Sequence, residues 1–190
     1  QKNKAELSLY KAQINPHFMF NTLNTLYGLA ISKSDRTEDA FVKFIEILKY
    51  TYTQVNLELI PIGNEIKYIH DYIALQILRL NSHTSVVWEY DIDDDTIQIP
   101  PMILITFVEN AFKYGSSSTR DCIIQIDATL KNRHLRFSVT NNIMKEKCEN
   151  EISIGLANCR ARLNMLYPDR HTLLIEEKDN MYCISLDIDL

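Results

Sequence analysis

No run of apolar residues in this chain approaches the ~20 needed to cross a bilayer as a helix, and no signal-peptide pattern opens it. A basic excess is missing too. The formal net charge is -5, and proteins that track phosphate backbones carry the opposite sign, so no nucleic-acid partner is expected. The four cysteines, Cys122, Cys148, Cys159 and Cys183, have no C-x-x-C or zinc-like spacing. That excludes a disulfide framework or a metal knot and fits a reducing compartment. Glycine and proline are scarce, at 4 and 5 of 190 residues, and no Pro/Gly/Ser-rich tract marks a disordered linker. What is present is 46% hydrophobic and 24% charged, the balance of a packed chain long enough for one large domain or two small ones. The chain begins at Gln1 rather than Met, and we read it as a piece of a longer protein.

The N-terminal third is helical in pattern. Residues 4–33 contain only Pro16 and Gly28 as breakers, and Met19, Leu23, Leu26 and Ala30 recur at helical spacing. Asp35 with Glu38 has the form of a capping box ahead of a second helix carrying Phe41, Phe44, Ile45, Leu48, Tyr52 and Val55. Two such helices form an antiparallel hairpin with more apolar stripe than one pair covers, so a homodimer closed as a four-helix bundle is expected. Pro61 and Gly63 mark a break, followed by a third amphipathic helix through Ile66, Ile69, Ile73, Ile77 and Leu80. Beyond it, β-rich segments at 85–92, 122–130, 134–141, 172–178 and 182–190 alternate with helical stretches at 101–114 and 155–167. The fold class is therefore α+β, with helices on one face of a mixed sheet and a division near residue 60. The polar segment 142–154 reads as a solvated loop or as a lid over a ligand.

Three stretches carry chemistry. In VENAFKYG, 108–115, Asn110, Lys113 and Tyr114 share one helix face. An amide oxygen is a hard ligand suited to Mg²⁺, and Lys113 adds charge for phosphates; a solvated helix edge would look the same. In SIGLANCRARLNMLYP, 153–168, Gly155 stands as a hinge opening a helix with Arg160 and Arg162, where backbone N–H groups can receive phosphate oxygens; an ordinary loop-to-helix junction would also carry it. In NPHFMFN, 15–21, Pro16 loosens the helix beside His17, and a neutral imidazole is a competent nucleophile toward phosphorus. His17, Phe20, Asn21 and Asn24 lie on one helical face that looks toward water or an approaching domain.

These three motifs, in this order and with NEIKYIHDYIALQILRL between them, resemble the catalytic core of sensor histidine kinases of the LytS/YehU type. The resemblance runs over essentially the whole chain, and the connecting stretch is similar to that family's E-x-E-x-x-Y-x-x-L-x-x-x-R helix. It implies a dimerising phosphoacceptor hairpin over residues 1–60 and an ATP-binding domain of the Bergerat type over 61–190. It further implies ATP-dependent phosphorylation of His17, with transfer onward to an aspartate of a response-regulator receiver domain. Asn110 matches the N-box asparagine that coordinates Mg²⁺, and Glu109 and Lys113 occupy neighbouring N-box places, Glu109 as a catalytic candidate for orienting the histidine. Asn141 stands where the fold usually has the aspartate that accepts the adenine amino group, and Gly155, with Leu156 beside it, matches the glycine of the second nucleotide box. The resemblance makes this the cytoplasmic portion of a protein anchored in the bacterial inner membrane by an upstream segment.

The departures motivate an alternative. Asn142, Ile143 and Met144 follow Asn141 where glycines belong, Ser153 replaces another glycine, and Tyr114 replaces a frequent histidine. A dimeric signalling scaffold with a weak or lost nucleotide site is the second reading. A hydrolytic ATPase is the third, but Thr106 stands one turn before Asn110 where water attack wants a carboxylate. His70-Asp71, which copies the phosphoacceptor pair of other histidine kinases, is set aside because it sits in the third helix within a structural match, and the cluster Asp91, Asp93, Asp94 and Asp95 as a solvated turn after a strand.

Overall fold

The computed structural model describes residues 16–144 and 149–190, with side chains from Gly155 onward in the second part. Helices α1 (Pro16–Ile31) and α2 (Thr37–Thr53) form the hairpin. Its turn closes in a Schellman pattern: Ser34 N–H reaches the Leu29 carbonyl at 3.0 Å and Lys33 N–H that of Ala30 at 3.2 Å. Lys33, at φ 51, takes the left-handed position that glycine usually fills.

The capping box expected from Asp35 and Glu38 does not form. The cap residue of α2 is Arg36, which makes no side-chain cap bond, so the helix starts too late for Asp35 to reach it. Ser34 manages the turn instead, its hydroxyl accepting from Arg36 N–H at 3.3 Å and its carbonyl from the Thr37 hydroxyl at 2.7 Å.

The apolar stripes are also divided differently from their reading in sequence. Within the chain, α1 buries Phe18, Thr22 and Leu26, and α2 buries Ala40, Phe44, Ile47 and Tyr50. Leu23 and Ala30 are exposed, as are Phe41, Ile45 and Tyr52. The hairpin packs on the rest of the chain along one face and leaves another open.

Strand β1 (Ile60–Pro61) pairs antiparallel with β3 (Gln98–Ile99), and α3 (Ile62–Ile77) begins directly after β1. Pro61 and Gly63 are thus the entry to the helix rather than a gap before it. The first-turn N–H groups of Ile62 and Gly63 donate to the carbonyls of Ile97 at 2.8 Å and Asp95 at 3.0 Å. A Cβ on Gly63 would lie 3.0 Å from that of Asp95, so glycine permits the approach.

The remaining elements are β2 (Thr84–Ile92), α4 (Ile105–Gly115), β4 (Cys122–Lys131), β5 (His134–Asn142), α5 (Glu149–Leu166), β6 (His171–Lys178) and β7 (Met181–Asp189). Five strands make one sheet in the order β2-β4-β5-β7-β6, with β2 and β4 parallel and the other pairs antiparallel. Both hairpins turn on two residues at positive φ, Asn132-Arg133 and Asp179-Asn180, as a tight connection between twisted strands requires. Alternation puts Ile124, Ile126, Ala128 and Leu130 of β4 and Leu135, Phe137 and Val139 of β5 on the buried face. Phe107 of α4 meets Phe137 there, ring centroids 6.3 Å apart. The architecture is α+β with helices on a mixed sheet, as the sequence pattern requires. In the segment 142–154, residues 149–154 belong to α5, and 145–148 lie outside the described residues.

Candidate functional site

Helix α4 carries Glu109, Asn110 and Lys113, and its two ends are held differently. It has no side-chain cap of its own and no acidic residue in its first turn. The N–H groups of Met102, Leu104 and Ile105 donate instead to the carboxylate of Glu65, on α3, at 2.9, 3.1 and 3.4 Å. The fully buried Glu65 also accepts from the Tyr50 hydroxyl of α2. Burial pushes the Glu65 carboxyl up, and these donors pull against it.

At the other end, the Tyr114 carbonyl accepts from Met144 N–H at 3.0 Å, tying α4 to the chain leaving β5. Asn141, 2% exposed at the end of β5, lies directly under Gly115. A Cβ on Gly115 would sit 2.7 Å from the Asn141 Cβ. The Asn141 amide donates to the Asn142 carbonyl at 2.8 Å. Asn141 and the C-terminal end of the Asn110 helix are therefore brought together, and Gly115 makes that possible. A lone glycine ending VENAFKYG was the available signal for it.

The Asn110 Nδ2 is buried and has no hydrogen-bond partner among the described residues. An orphaned donor of this kind points to a partner beyond the described residues. Glu109, half-buried, is pushed up by burial from the ordinary 4.5 to about 7. It faces α3: after burial, its charge is the next cause of the raised phenols of Tyr68 and Tyr72. Lys113 is exposed, its ammonium 5.1 Å from the Tyr114 ring centroid.

His17 is exposed on α1, and the Asn21 amide contacts its ring nitrogens at 2.9 and 3.1 Å. No hydrogen bond joins it to Glu109 among the described residues. Its neighbour Phe18 stacks on Tyr72 at 4.7 Å, and Tyr72 meets Phe112 of α4 edge-on at 5.9 Å, so an aromatic ladder links the histidine helix to the Asn110 helix.

Gly155 and Leu156 are not at a helix start. They lie inside α5, six residues past its beginning at Glu149, where backbone N–H groups serve the helix itself. The hinge expected at Gly155 is thus replaced by a half-buried helical glycine, and Leu156 packs against the core. Arg162 of the same motif donates to the Pro101 carbonyl at 2.6 Å, fastening α5 to the loop before α4.

His70 is exposed, and its neighbour Asp71 pairs with Lys67 at 3.1 Å. Asp94 accepts from Thr96, Asp93 from Asn132 N–H and Asp91 from Lys131. No cluster of three metal-ligating side chains exists among the described residues.

A histidine kinase family model matches residues 5–84. The sensor protein LytS of Staphylococcus haemolyticus is 26% identical over 97% of this chain and 34% of its own length. In sequence this chain is similar to LytS-type sensor histidine kinases. It spans about a third of that relative's length. In fold it is similar to the histidine kinase domain of the blue-light activated kinase of Erythrobacter litoralis, at a TM-score of 0.54, 13% identity and coverage of 97% of this chain and 93% of that one. Full-length ShkA in complex with AMPPNP is similar at a TM-score of 0.51 and 15% identity, covering 86% of this chain and 38% of that one. The LytS likeness covers both the hairpin and the sheet, and the structural likenesses show a shared fold. No helix of the described residues is long and apolar enough to cross a membrane.

Proposed function

We propose that this chain is the catalytic core of a two-component sensor kinase, which binds ATP beside α4 and β5 and moves its γ-phosphoryl group to His17. The observation that carries the reading is the buried, unpartnered amide of Asn110 on the face it shares with Lys113. A buried N–H donor that the described residues leave unsatisfied suits a phosphate oxygen, and the oxygen of the same amide suits a metal beside it. Asn110 would hold Mg²⁺ by its oxygen, with Lys113 as the phosphate cation, and the metal would supply charge neutralisation on the triphosphate. Asn141, fixed by Gly115 above and Asn142 beside it, presents an amide acceptor for the adenine amino group.

Phosphoryl transfer of this kind asks mainly for alignment and charge stabilisation. The imidazole nitrogen that keeps its lone pair attacks the γ-phosphorus, the bond to the β-γ bridging oxygen breaks, and ADP leaves. Asn21 orients the ring before attack. The other ring nitrogen then carries the proton, and Glu109 is the carboxylate that would accept it once the helices close. The phosphohistidine passes its group to an aspartate of a receiver domain docked on the hairpin. Residues 1–60 act as the dimerising phosphoacceptor unit, residues 61–190 as the ATP-binding unit, and a preceding segment anchors the protein in the membrane.

Incubation with γ-labelled ATP and Mg²⁺ is the test. Acid-labile label should appear, vanish in His17→Gln, and fall at least ~100-fold in Asn110→Ala, the size of loss typical for a charge-stabilising group. ATP binding should persist in His17→Gln and weaken in Asn110→Ala. The second reading, a scaffold without catalysis, draws on Gly155 lying within a helix. It predicts no label at all and ATP affinity unchanged by Asn110→Ala.

A further inference from the structure

A helix N-terminus leaves several N–H groups unpaired, and a local Ser, Thr, Asp or Asn usually takes them. Helix α4 has none, and the entry to it, from Met102 to Ile105, depends on a carboxylate 37 to 40 residues away in sequence. That carboxylate belongs to α3 and is also bound by the Tyr50 hydroxyl of α2. Tyr50 itself stacks on Tyr68 of α3, centroids 4.3 Å apart. Other polar contacts cross the seam between α2 and α3 among the described residues: Lys67 to Glu46 at 2.9 Å, which is exposed, Asn64 to Gln54 at 3.4 Å, which is part-buried, and the buried Tyr68 hydroxyl to Thr51. Exposed pairs of this kind are soft and salt-screened. The Glu65 node is dry. Moving α2 away from α4 would leave a buried carboxylate short of a donor, so the three helices keep a discrete relative position or break the node.

We infer that Tyr50 and Glu65 are a positioning pair for phosphoryl transfer, holding the Asn110 helix in register with the hairpin that carries His17. This rests on the kinase reading above. Glu65 acts on α4 from below its first turn, and Tyr50 couples that grip to α2, which is paired with α1. Neither residue touches nucleotide. Removing the Tyr50 hydroxyl leaves Glu65 its three backbone donors and the ring contacts intact, so the nucleotide helix stays capped while the polar tie from Glu65 to the hairpin is cut.

Tyr50→Phe is the discriminating variant. Its MgATP Kd is expected to stay within twofold of wild type, while the first-order rate of His17 labelling at saturating ATP falls ~10-fold, a loss in keeping with misplacement rather than lost contact. Glu65→Gln, which turns an NH₂ toward backbone donors, should weaken both nucleotide binding and rate. Adding Tyr50→Phe to it should cost nothing further, because the tyrosine acts only through Glu65. Glu65→Asp, which keeps the charge but shortens the reach, should also lower the rate. A Tyr50→Phe rate equal to or above wild type would overturn the inference, as would a parallel loss of affinity and rate, or full additivity in the double variant. Wild type assayed alongside separates the two levels: label on wild-type His17 with an unchanged Tyr50→Phe rate sinks only the pair, whereas an unlabelled wild type sinks the kinase reading with it.

Discussion

Glu109 and Asn110 are adjacent in sequence yet meet opposite problems, one a carboxyl pressed out of water and the other an amide with a donor to spare. For Glu109 the cause is desolvation alone, and its carboxyl titrates near about 7 instead of 4.5. Between those values the unfolded chain releases its proton before the folded one does. Glu109 therefore costs nothing below pH 4.5, and stability drains away as pH rises through about 7. Glu109→Gln should match wild type in thermal midpoint near pH 4.5 and exceed it by a few degrees at pH 8, on a scale of roughly 2–4 °C per kcal/mol for a chain of this size. Melting curves across that range check the sign. In the same variant, labelling of His17 should lose any rise with pH centred near about 7, because that rise belongs to the carboxylate form. A steeper pH profile in the variant would remove Glu109 from the reaction. The sequence exposed Glu109 only through its place in the N-box resemblance. Its titration depends on the neighbours that bury it, and no spacing rule predicts that.

At the scale of elements, the glycines of two motif stretches behave oppositely in the fold. Gly115 ends α4 against Asn141, and an added Cβ would come within 2.7 Å of the buried amide nitrogen. Gly155 lies within α5 with nothing among the described residues inside 4 Å of the same position. Neither adopts a positive φ, so contact alone decides. Gly115→Ala should destabilise the chain by about 1–3 kcal/mol and weaken ATP binding through Asn141. Gly155→Ala should stabilise it by roughly 0.5–1 kcal/mol, as glycine-to-alanine exchange does inside helices. Denaturant titration of both, with a nucleotide titration of the first, is the check; a stabilised Gly115→Ala would show that Asn141 yields freely. Strands were legible because period-two alternation survives wherever one sheet face is buried, as in Cys122–Lys131. Helix ends were less legible. The start of α2 passed from Asp35 to Arg36 because Ser34 took over the turn, and the start of α4 is capped by Glu65 from another helix, a long-range choice that leaves no local trace.

For the whole molecule, the hairpin poses the largest unsolved packing problem. Phe20, Leu23, Tyr27 and Ile31 form one stripe along α1, from 46% to 69% exposed, and Phe41, Ile45 and Tyr52 form another along α2, from 40% to 72%. They are the residues left over once Phe18, Leu26, Phe44 and Ile47 have packed inward, apolar surface in excess of what one helix pair covers. In the dimer we propose, a second copy would cover both stripes at once in a four-helix bundle, and no charged side chain interrupts the spacing of the α1 stripe. A two-fold interface presents every substitution twice, so a carboxylate placed at Leu23 or Ile45 is paid for in both protomers. At about 1.5 kcal/mol per copy, each variant should weaken the dimer by ~100-fold. Leu174→Glu makes the same change at a 54% exposed residue of β6, away from the hairpin, and should leave the dimer intact. Light scattering across a dilution series separates these outcomes. The Leu23→Glu monomer should still bind ATP, since Asn110 and Asn141 lie outside the hairpin, and a Leu23→Glu protein that remains dimeric at wild-type strength would move the interface to another surface.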